Sequence, residues 1–180
     1  MRIRGIVLLA SVAVALLLTA PRGHAQGGAA GDPVIVLDTA KGTIEIQLFR
    51  ADAPKSVEHI LELMKRSFYR GQRFHRVTAS IAQFGDPQSR DMTRKAYWGS
   101  GGSGSPIGVF ELNKKRTHVR GAVGLAHSGN PLGADSQLYI MKAASPGLDG
   151  KHTIVGRVSA GLAVVDKIAA DDLIKNATVK

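Results

Sequence analysis

The stretch "QRFHRVTASIAQFGDP", residues 72–87, contains the side chains best suited to chemistry. It consists of two short alternating apolar runs, with Arg76 in the first and Gln83 in the second. A guanidinium carries five hydrogen-bond donors and keeps its charge, and an amide both donates and accepts. Neither group is a nucleophile or a general base, so the pair fits chemistry that works through hydrogen bonds. The competing interpretation is a strand arginine that reaches solvent or pairs with Asp86.

The sequence gives little support for a metal or thiol site. It contains no cysteine, which excludes disulfides, zinc thiolates and a thiol nucleophile. The histidines beyond residue 25 are His59, His75, His118, His127 and His152. No two of them have metal-ligand spacing on a common helix. We therefore expect neither a metal nor a cofactor.

One glycine motif is rejected for physical reasons. Gly99, Gly101 and Gly104 match G-x-G-x-x-G, but no strand precedes them, and Pro106 prevents a helix from beginning there. Dinucleotide binding needs that helix N-terminus for the pyrophosphate. Residues 88–108 are poor in apolar residues and rich in Gly and Ser, which predicts a long, flexible surface loop.

The elements that position Arg76 and Gln83 are predicted to be mainly strands. Residues 34–39 and 43–49 have the patterns of a β-hairpin. Helical spacing follows from Pro54 to about Phe68, with apolar residues at Val57, Ile60, Leu61 and Met64. Short apolar runs at 121–126, 136–142 and 153–158 predict further strands, followed by a helix over 162–169 and a last strand over 173–180. This order favours a closed β-barrel or sandwich with two helices.

The first 25 residues are typical of a secretory signal peptide. Arg2 and Arg4 precede an apolar run, and Gly23 and Ala25 offer a cleavage site after Ala25. An uncleaved membrane anchor is the alternative, but the run of about 15 residues is shorter than the roughly 20 that span a bilayer. We predict a signal peptide over 1–25, a flexible linker over 26–32, a folded domain over 33–180, and a periplasmic or secreted protein.

The chain is basic, with 24 Lys and Arg against 14 Asp and Glu, a net charge of +10. Cleavage after Ala25 removes three arginines and no acid, which leaves a net charge of +7. The basic residues are scattered, aromatic residues are few, and no recognition helix stands out. We therefore expect a basic soluble surface and no nucleic-acid partner.

From Pro33 to Lys180 the chain resembles the cyclophilins, a family of peptidyl-prolyl cis/trans isomerases. The matching segments occur in the family's order: "KGTIEIQLF", "APKSVEHILELMKRSFYRGQRFHRV", "QFGDP", "GAVGLAHSG", "DSQLYI" and "LDGKHTIVGRV". The resemblance implies a closed eight-stranded antiparallel β-barrel with an α-helix covering each end. It also implies that the partners are proline-containing segments of unfolded or partly folded proteins. We expect a monomer.

The resemblance also assigns roles to single residues. Arg76 matches the catalytic arginine, and Gln83 matches the glutamine that positions it. The other matches form the substrate site: Ile81 contacts the proline, Ala126, His127 and Ser128 bind the residue before it with Gln137 beside them, and Tyr139, Leu148 and His152 complete the proline pocket.

Several positions depart from the family pattern. The chain is one residue shorter between Arg76 and Gln83, and Thr78–Ser80 replaces a Pro-Gly-aromatic segment. Phe84 stands where glycine is usual, and Tyr139 where phenylalanine is usual. Gly147 occupies the position of a tryptophan or another large residue. Because that tryptophan helps bind the cyclic peptide cyclosporin, we expect weak inhibition by cyclosporin.

The function implied is acceleration of X-Pro isomerisation during the folding of exported proteins. A planar X-Pro amide must twist over a barrier of about 18–20 kcal/mol, and a guanidinium can donate toward the proline nitrogen as its lone pair localises. The alternative is a cyclophilin-fold chaperone that grips extended peptides with weak or no turnover.

Overall fold

The computed structural model describes residues 31–180. The predicted signal peptide, residues 1–25, and residues 26–30 of the predicted linker lie outside the described residues. The strands are β1 Val34–Thr39, β2 Gly42–Leu48, β3 Arg76–Val77, β4 Ile81–Phe84, β5 Ala122–Leu125, β6 Leu138–Met141, β7 Ile154–Ala160 and β8 Ile174–Val179. The α-helices are α1 Pro54–Lys65 and α2 Leu162–Lys167, and 3-10 helices cover Pro87–Arg90, Met92–Tyr97, Pro131–Gly133 and Pro146–Leu148.

The eight strands form one antiparallel sheet in the order β3-β4-β6-β5-β7-β2-β1-β8. Strand β2 alternates as predicted, since Ile44, Ile46 and Leu48 are fully buried while the residues between them are not. The predicted mainly β architecture, with an eight-stranded antiparallel sheet and two α-helices among residues 31–180, is confirmed.

Helix α1 packs its apolar stripe into the main core, as its spacing predicts. Pro54 occupies the first turn, where its missing N–H removes no helical hydrogen bond. The preceding residue, Ala53, has no side chain that can cap the helix. Instead the Glu111 carboxylate accepts from the backbone N–H of Lys55 at 2.9 Å and of Ser56 at 2.8 Å. A residue far along the chain therefore stabilises the helix N-terminus.

The helix ends at Lys65, a turn earlier than the sequence pattern predicts. Ser67 adopts a left-handed conformation with φ of 54°, and the Phe68 N–H bonds back to the Leu63 carbonyl at 2.9 Å. Tyr69 then enters the core, where its ring meets that of Phe84 edge to face at 5.8 Å. The segment from Ser67 thus turns the chain from the helix toward β3.

The segment that precedes β3 bonds to the first residue of β8 and to residues just before it. The Gly71 N–H donates to the Ile174 carbonyl at 2.8 Å, and the Phe74 N–H donates to the Asp172 carbonyl at 3.0 Å. These bonds join the segment before β3 to the start of β8. Within residues 31–180, no helix has the length and apolar character needed to cross a bilayer.

Candidate active site

Strands β3 and β4 place Arg76 and Gln83 side by side. The two residues are directly opposite each other in the antiparallel register, so their side chains lie on the same face. Arg76 Nη1 donates to Gln83 Oε1 across 3.5 Å, a long hydrogen bond. The Arg76 side chain is exposed, whereas Gln83 is buried. The accessible guanidinium of Arg76 is therefore hydrogen-bonded to the buried side-chain amide of Gln83.

A chain of hydrogen bonds orients that amide. Gln83 Nε2 donates to Gln137 Oε1 at 2.8 Å, and Gln137 Nε2 donates to the carbonyls of Gly99 at 2.9 Å and Gly101 at 2.7 Å. Because Gln83 Nε2 donates to Gln137, the other end of the amide, Gln83 Oε1, is left to face Arg76. The glycine-rich loop therefore fixes the direction of the arginine through two glutamines.

Asp86 anchors this loop rather than pairing with Arg76. Its side chain is completely buried, and Oδ2 accepts from the N–H groups of Gly99 at 2.6 Å and Gly101 at 3.0 Å. Oδ1 accepts from the Gln88 N–H at 2.8 Å. A side chain at Gly101 would overlap the Asp86 carboxylate, so this approach requires glycine. The loop and the carboxylate are built for each other.

Residues 88–108 are mostly exposed, as the prediction of a flexible surface loop expects, but they have more local structure and more anchoring contacts than their composition indicates. The first half forms 3-10 helices, and the second half is held by Asp86 and by Asp135. Asp135 Oδ2 accepts from the Gly104 N–H at 3.0 Å, and Oδ1 lies 3.0 Å from His59 Nε2 on α1. The Gly- and Ser-rich composition suggests flexibility. It cannot show that the carboxylates of Asp86 and Asp135, which are distant in sequence, accept hydrogen bonds from the loop.

The opposite side of the site is apolar. The Tyr139 ring is 4% exposed and packs in a small cluster with Ile81, Ala126 and Leu148, all partly buried. Phe49, Met141 and Ile154 close this cluster from behind. An apolar wall of this kind accepts a ring without polar groups and excludes water around it.

Two histidines form the rim next to this wall. The rings of His127 and His152 stack with centroids 4.2 Å apart. His127 Nε2 lies 3.0 Å from the Lys151 carbonyl, and His152 Nδ1 lies 3.1 Å from the Leu125 carbonyl, so both nitrogens act as donors. Burial lowers the pKa of His152 below its ordinary 6.5, and the nearby His127 and Lys151 act in the same direction.

These groups line one cleft of about 1030 Å³. The ten residues predicted for catalysis and substrate binding all line it: Arg76, Ile81, Gln83, Ala126, His127, Ser128, Gln137, Tyr139, Leu148 and His152. The sequence prediction missed the loop that forms another wall, including Gly99, Gly101, Gly102 and Pro106. Its density of glycine was the available signal. Within residues 31–180 no group of three His, Cys, Asp or Glu side chains is placed to hold a metal.

Comparison with known families identifies the chain. Residues 34–180 match the family described as cyclophilin type peptidyl-prolyl cis-trans isomerase/CLD. The chain belongs to the cyclophilins. The match covers every strand and helix described above.

Bacterial relatives extend the likeness along most of the cyclophilin. A probable peptidyl-prolyl cis-trans isomerase of Brucella suis is 36% identical over 176 residues, covering 94% of this chain and 89% of the relative. A Helicobacter pylori peptidyl-prolyl cis-trans isomerase is 37% identical over 143 residues, covering 78% and 82%. The crystal structure of a Cryptosporidium parvum cyclophilin superposes with a TM-score of 0.73 at 22% identity, covering 83% and 98%, which supports the fold.

The departures from the cyclophilin pattern lie in different surroundings. Phe84 is fully buried and packs edge to face against Phe74 with ring centroids 5.3 Å apart, so it belongs to the core. Thr78 and Ser80 line the cleft in place of an aromatic residue, and Thr78 Oγ1 accepts from the Ser80 and Ile81 N–H groups. No heavy atom lies within 4 Å of the Cβ position of Gly147, so a side chain there would meet open space.

His152 predicts a pH dependence for the cyclophilin. Its pKa in the folded protein is below 6.5, so it is neutral at pH 7, and its stabilising contribution is present above pH 6.5 and is lost as pH falls through the lowered pKa. Protonation places a cation against an apolar wall. We expect kcat/KM to be flat above pH 6.5 and to fall in acid.

His152→Gln tests this pH dependence, because glutamine is polar and does not titrate. The acid limb of a pH profile between 4.5 and 8 should shrink in the variant, with circular dichroism showing that both proteins remain folded. The same acid limb in both proteins would assign the titration to another group.

Proposed function

We propose that this cyclophilin catalyses X-Pro isomerisation with Arg76 as the catalytic donor and Gln83 as its positioning partner. The observation that carries the proposal is the relay from the glycine-rich loop through Gln137 and Gln83 to an accessible guanidinium. Such an arrangement is oriented before substrate arrives, so little reorganisation accompanies the reaction. The apolar cluster around Tyr139 faces the same cleft and offers a seat for the proline ring.

The chemistry follows from the X-Pro amide itself. Resonance holds the bond planar with a barrier of about 18–20 kcal/mol, and twisting it localises a lone pair on the proline nitrogen. The guanidinium of Arg76 donates toward that nitrogen and also holds the proline carbonyl. Because the interaction strengthens as the lone pair forms, it stabilises the transition state more than the planar substrate. No bond is made or broken and no proton is transferred.

The substrates in this proposal are proline-containing segments of unfolded or partly folded proteins. A related structure of the Cryptosporidium parvum isomerase was determined in the presence of the dipeptide Ala-Pro. We place the proline of such a segment against Ile81, Tyr139, Leu148 and His152, with the preceding residue along Ala126–Ser128. The cleft of about 1030 Å³ is ample for a short peptide.

Turnover separates this proposal from its alternative, a cyclophilin-fold chaperone with weak or no activity. The purified mature chain should accelerate cis/trans isomerisation of a proline-containing tetrapeptide, followed by exchange spectroscopy. A chain that binds the peptide without changing the exchange rate would favour the chaperone. The polar Thr78–Ser80 segment is the feature that favours weak turnover.

We also propose that the protein acts on exported proteins. The support is the sequence of residues 1–25, with its positive start, apolar run and small residues before Ala25. Sequencing the mature protein exported by the cells that produce it should give an N-terminus at Gln26. A chain that keeps residues 1–25 and stays with the membrane fraction would favour the anchored alternative.

We infer further that the sheet closes into the barrel that the sequence predicts. The support is the ladder of backbone bonds between Gly71–Phe74 and Asp171–Ile174, which lie at the two ends of the sheet order. A closed sheet leaves no strand edge free for pairing. Amide exchange of Phe74 and Ile174 should then be as slow as that of residues in β1, and fast exchange would mean an open sheet.

Gly147 predicts the response to cyclosporin. The open space at this position removes a large contact that the family uses, so we expect a Kd above about 1 µM by titration. Gly147 does not need a left-handed conformation, so larger side chains can be placed there. Gly147→Trp should tighten binding about tenfold, whereas Gly147→Ala, the matched control, should change it little. Submicromolar binding by the unaltered protein would contradict this.

A further inference from the structure

His118 is a buried histidine that does not line the cleft, yet its ring and backbone are hydrogen-bonded to residues on and next to the cleft wall. It is 2% exposed, and both ring nitrogens are bonded. Nε2 lies 2.8 Å from the Tyr139 hydroxyl, and Nδ1 lies 2.8 Å from Asp149 Oδ1. The ring also stacks on Tyr139 with centroids 5.9 Å apart. These contacts connect His118 to Tyr139 in the apolar wall of the cleft.

The backbone of His118 is bonded to the adjoining wall of the cleft. Its N–H donates to Asp149 Oδ1 at 2.7 Å, and its carbonyl accepts from the Ser145 N–H at 2.8 Å. Ser145 and Asp149 flank the 3-10 helix Pro146–Leu148, which carries Leu148 into the cleft. His118 is therefore hydrogen-bonded to both ends of this turn and to the Tyr139 hydroxyl.

The direction of the hydrogen bonds follows from the charge of Asp149. Hydrogen bonds from the His118 backbone and ring hold the pKa of Asp149 below its ordinary value, so the carboxylate is ionised and only accepts. Nδ1 of His118 must then carry a proton, and in the Nδ1–H tautomer of an imidazole Nε2 is an acceptor. Burial raises the pKa of Tyr139, so its hydroxyl keeps its proton and donates to Nε2.

Gly124 leaves space for the Tyr139 ring and its hydroxyl. Gly124 is directly opposite Tyr139 in the register of β5 and β6. A side chain at position 124 would overlap the hydroxyl end of the Tyr139 ring. A phenylalanine at 139 would need the same space, because the ring carbons Cζ and Cε2 also lie within 3 Å of that position, but it would need no polar partner. The glycine, the tyrosine and the buried histidine therefore form one matched set.

We infer that His118 is a positioning residue of the proline pocket, which holds the Tyr139 ring and the Leu148 turn in one hydrogen-bonded unit. The inference rests on the proposed proline pocket and deepens it. No heavy atom lies within 4 Å of the Cβ position of Gly147, in the middle of the turn, so packing does not hold the turn at that position. The hydrogen bonds through His118 supply the constraint instead. Since His118 touches no substrate, it acts on how well proline is bound.

The hydrogen bond between His118 and Tyr139 and the one between His118 and Asp149 can be tested separately by substitution. An asparagine amide occupies roughly the place of Nδ1, so His118→Asn keeps a donor for Asp149 and loses the partner of Tyr139. Its KM for a proline-containing tetrapeptide should rise about three- to tenfold while kcat changes less than twofold. In a Tyr139→Phe background the same substitution should have no further effect on KM, because the hydroxyl that His118 serves is gone.

Asp149→Asn tests the second link, with Asp166→Asn as its control. Asp149 accepts from His118, whereas Asp166 pairs with Arg120 on the surface and lies outside the cleft lining. Asp149→Asn should raise KM by a similar factor, and Asp166→Asn should not change it. Thermal melts of each variant show whether the comparison is made between folded proteins.

A spectroscopic measurement on the unaltered protein keeps the test independent of folding and of activity. The 15N shifts of the His118 ring should report a protonated Nδ1 and an unprotonated Nε2, and Tyr139→Phe should shift Nε2. The opposite tautomer, or equal KM effects of His118→Asn with and without the Tyr139 hydroxyl, would overturn the inference. If the unaltered protein did not accelerate isomerisation, the proposed function would fail, while the tautomer would still test the hydrogen bonds.

Discussion

Replacing Arg76 with alanine should lower kcat/KM about 100- to 1,000-fold, the loss typical when one oriented transition-state donor is removed. The physical reason is that, within residues 31–180, Arg76 is the one cationic side chain hydrogen-bonded to the Gln83–Gln137 pair, so no other donor can replace it. Arg76 is exposed, so its removal should change the free energy of unfolding by less than about 0.5 kcal/mol. The measurement is the exchange rate of a proline-containing tetrapeptide at several peptide concentrations.

Two further substitutions sharpen this result. Arg76→Lys keeps the charge but loses the planar fork, so it cannot hold the proline carbonyl and donate to the nitrogen together, and it should recover only part of the rate. Arg120→Ala removes an exposed arginine that pairs with Asp166, and it should leave kcat/KM unchanged. If Arg76→Ala kept more than a third of the activity, the arginine would not be the catalytic donor.

The strands and helices follow from local patterns to within a few residues. Strand β1 has the predicted bounds, and β2 is displaced by one residue, because the alternation of Ile44, Ile46 and Leu48 has a single buried face that fixes it. The end of α1 was predicted too late, because the apolar residues Phe68 and Tyr69 continue the pattern while Ser67 turns the backbone. Local patterns report burial better than they report where a helix stops.

Contacts between distant residues were outside the reach of the sequence. The cap of α1 by Glu111 joins positions 56 residues apart at Lys55 and 55 apart at Ser56, and nothing near Ala53 indicates it. The link between His118 and Tyr139 has the same character, since a lone histidine in a sequence is usually a surface or satisfied core residue. The resemblance to cyclophilins supplied positions on the cleft but not the bonds that hold them.

Asp86 should have the largest effect on stability among the residues around the cleft. Asp86→Ala leaves the N–H groups of Gln88, Gly99 and Gly101 without their acceptor, and a buried donor that loses its partner costs about 1–3 kcal/mol. Some of the freed N–H groups of the loop can then bond to water, which offsets part of this cost. We therefore expect the free energy of unfolding to fall by about 2–4 kcal/mol in urea titrations.

The same substitution should also slow the reaction at temperatures where the protein stays folded. Without Asp86 the carbonyls of Gly99 and Gly101 no longer hold Gln137, so Gln83 and then Arg76 lose their orientation, and kcat/KM should fall about tenfold. Asp86→Asn keeps the shape and one acceptor oxygen and should lie between alanine and the unaltered protein in both measurements. A loss of stability with unchanged kcat/KM would mean that the loop supports the fold alone, and that Gln83 orients the arginine without it.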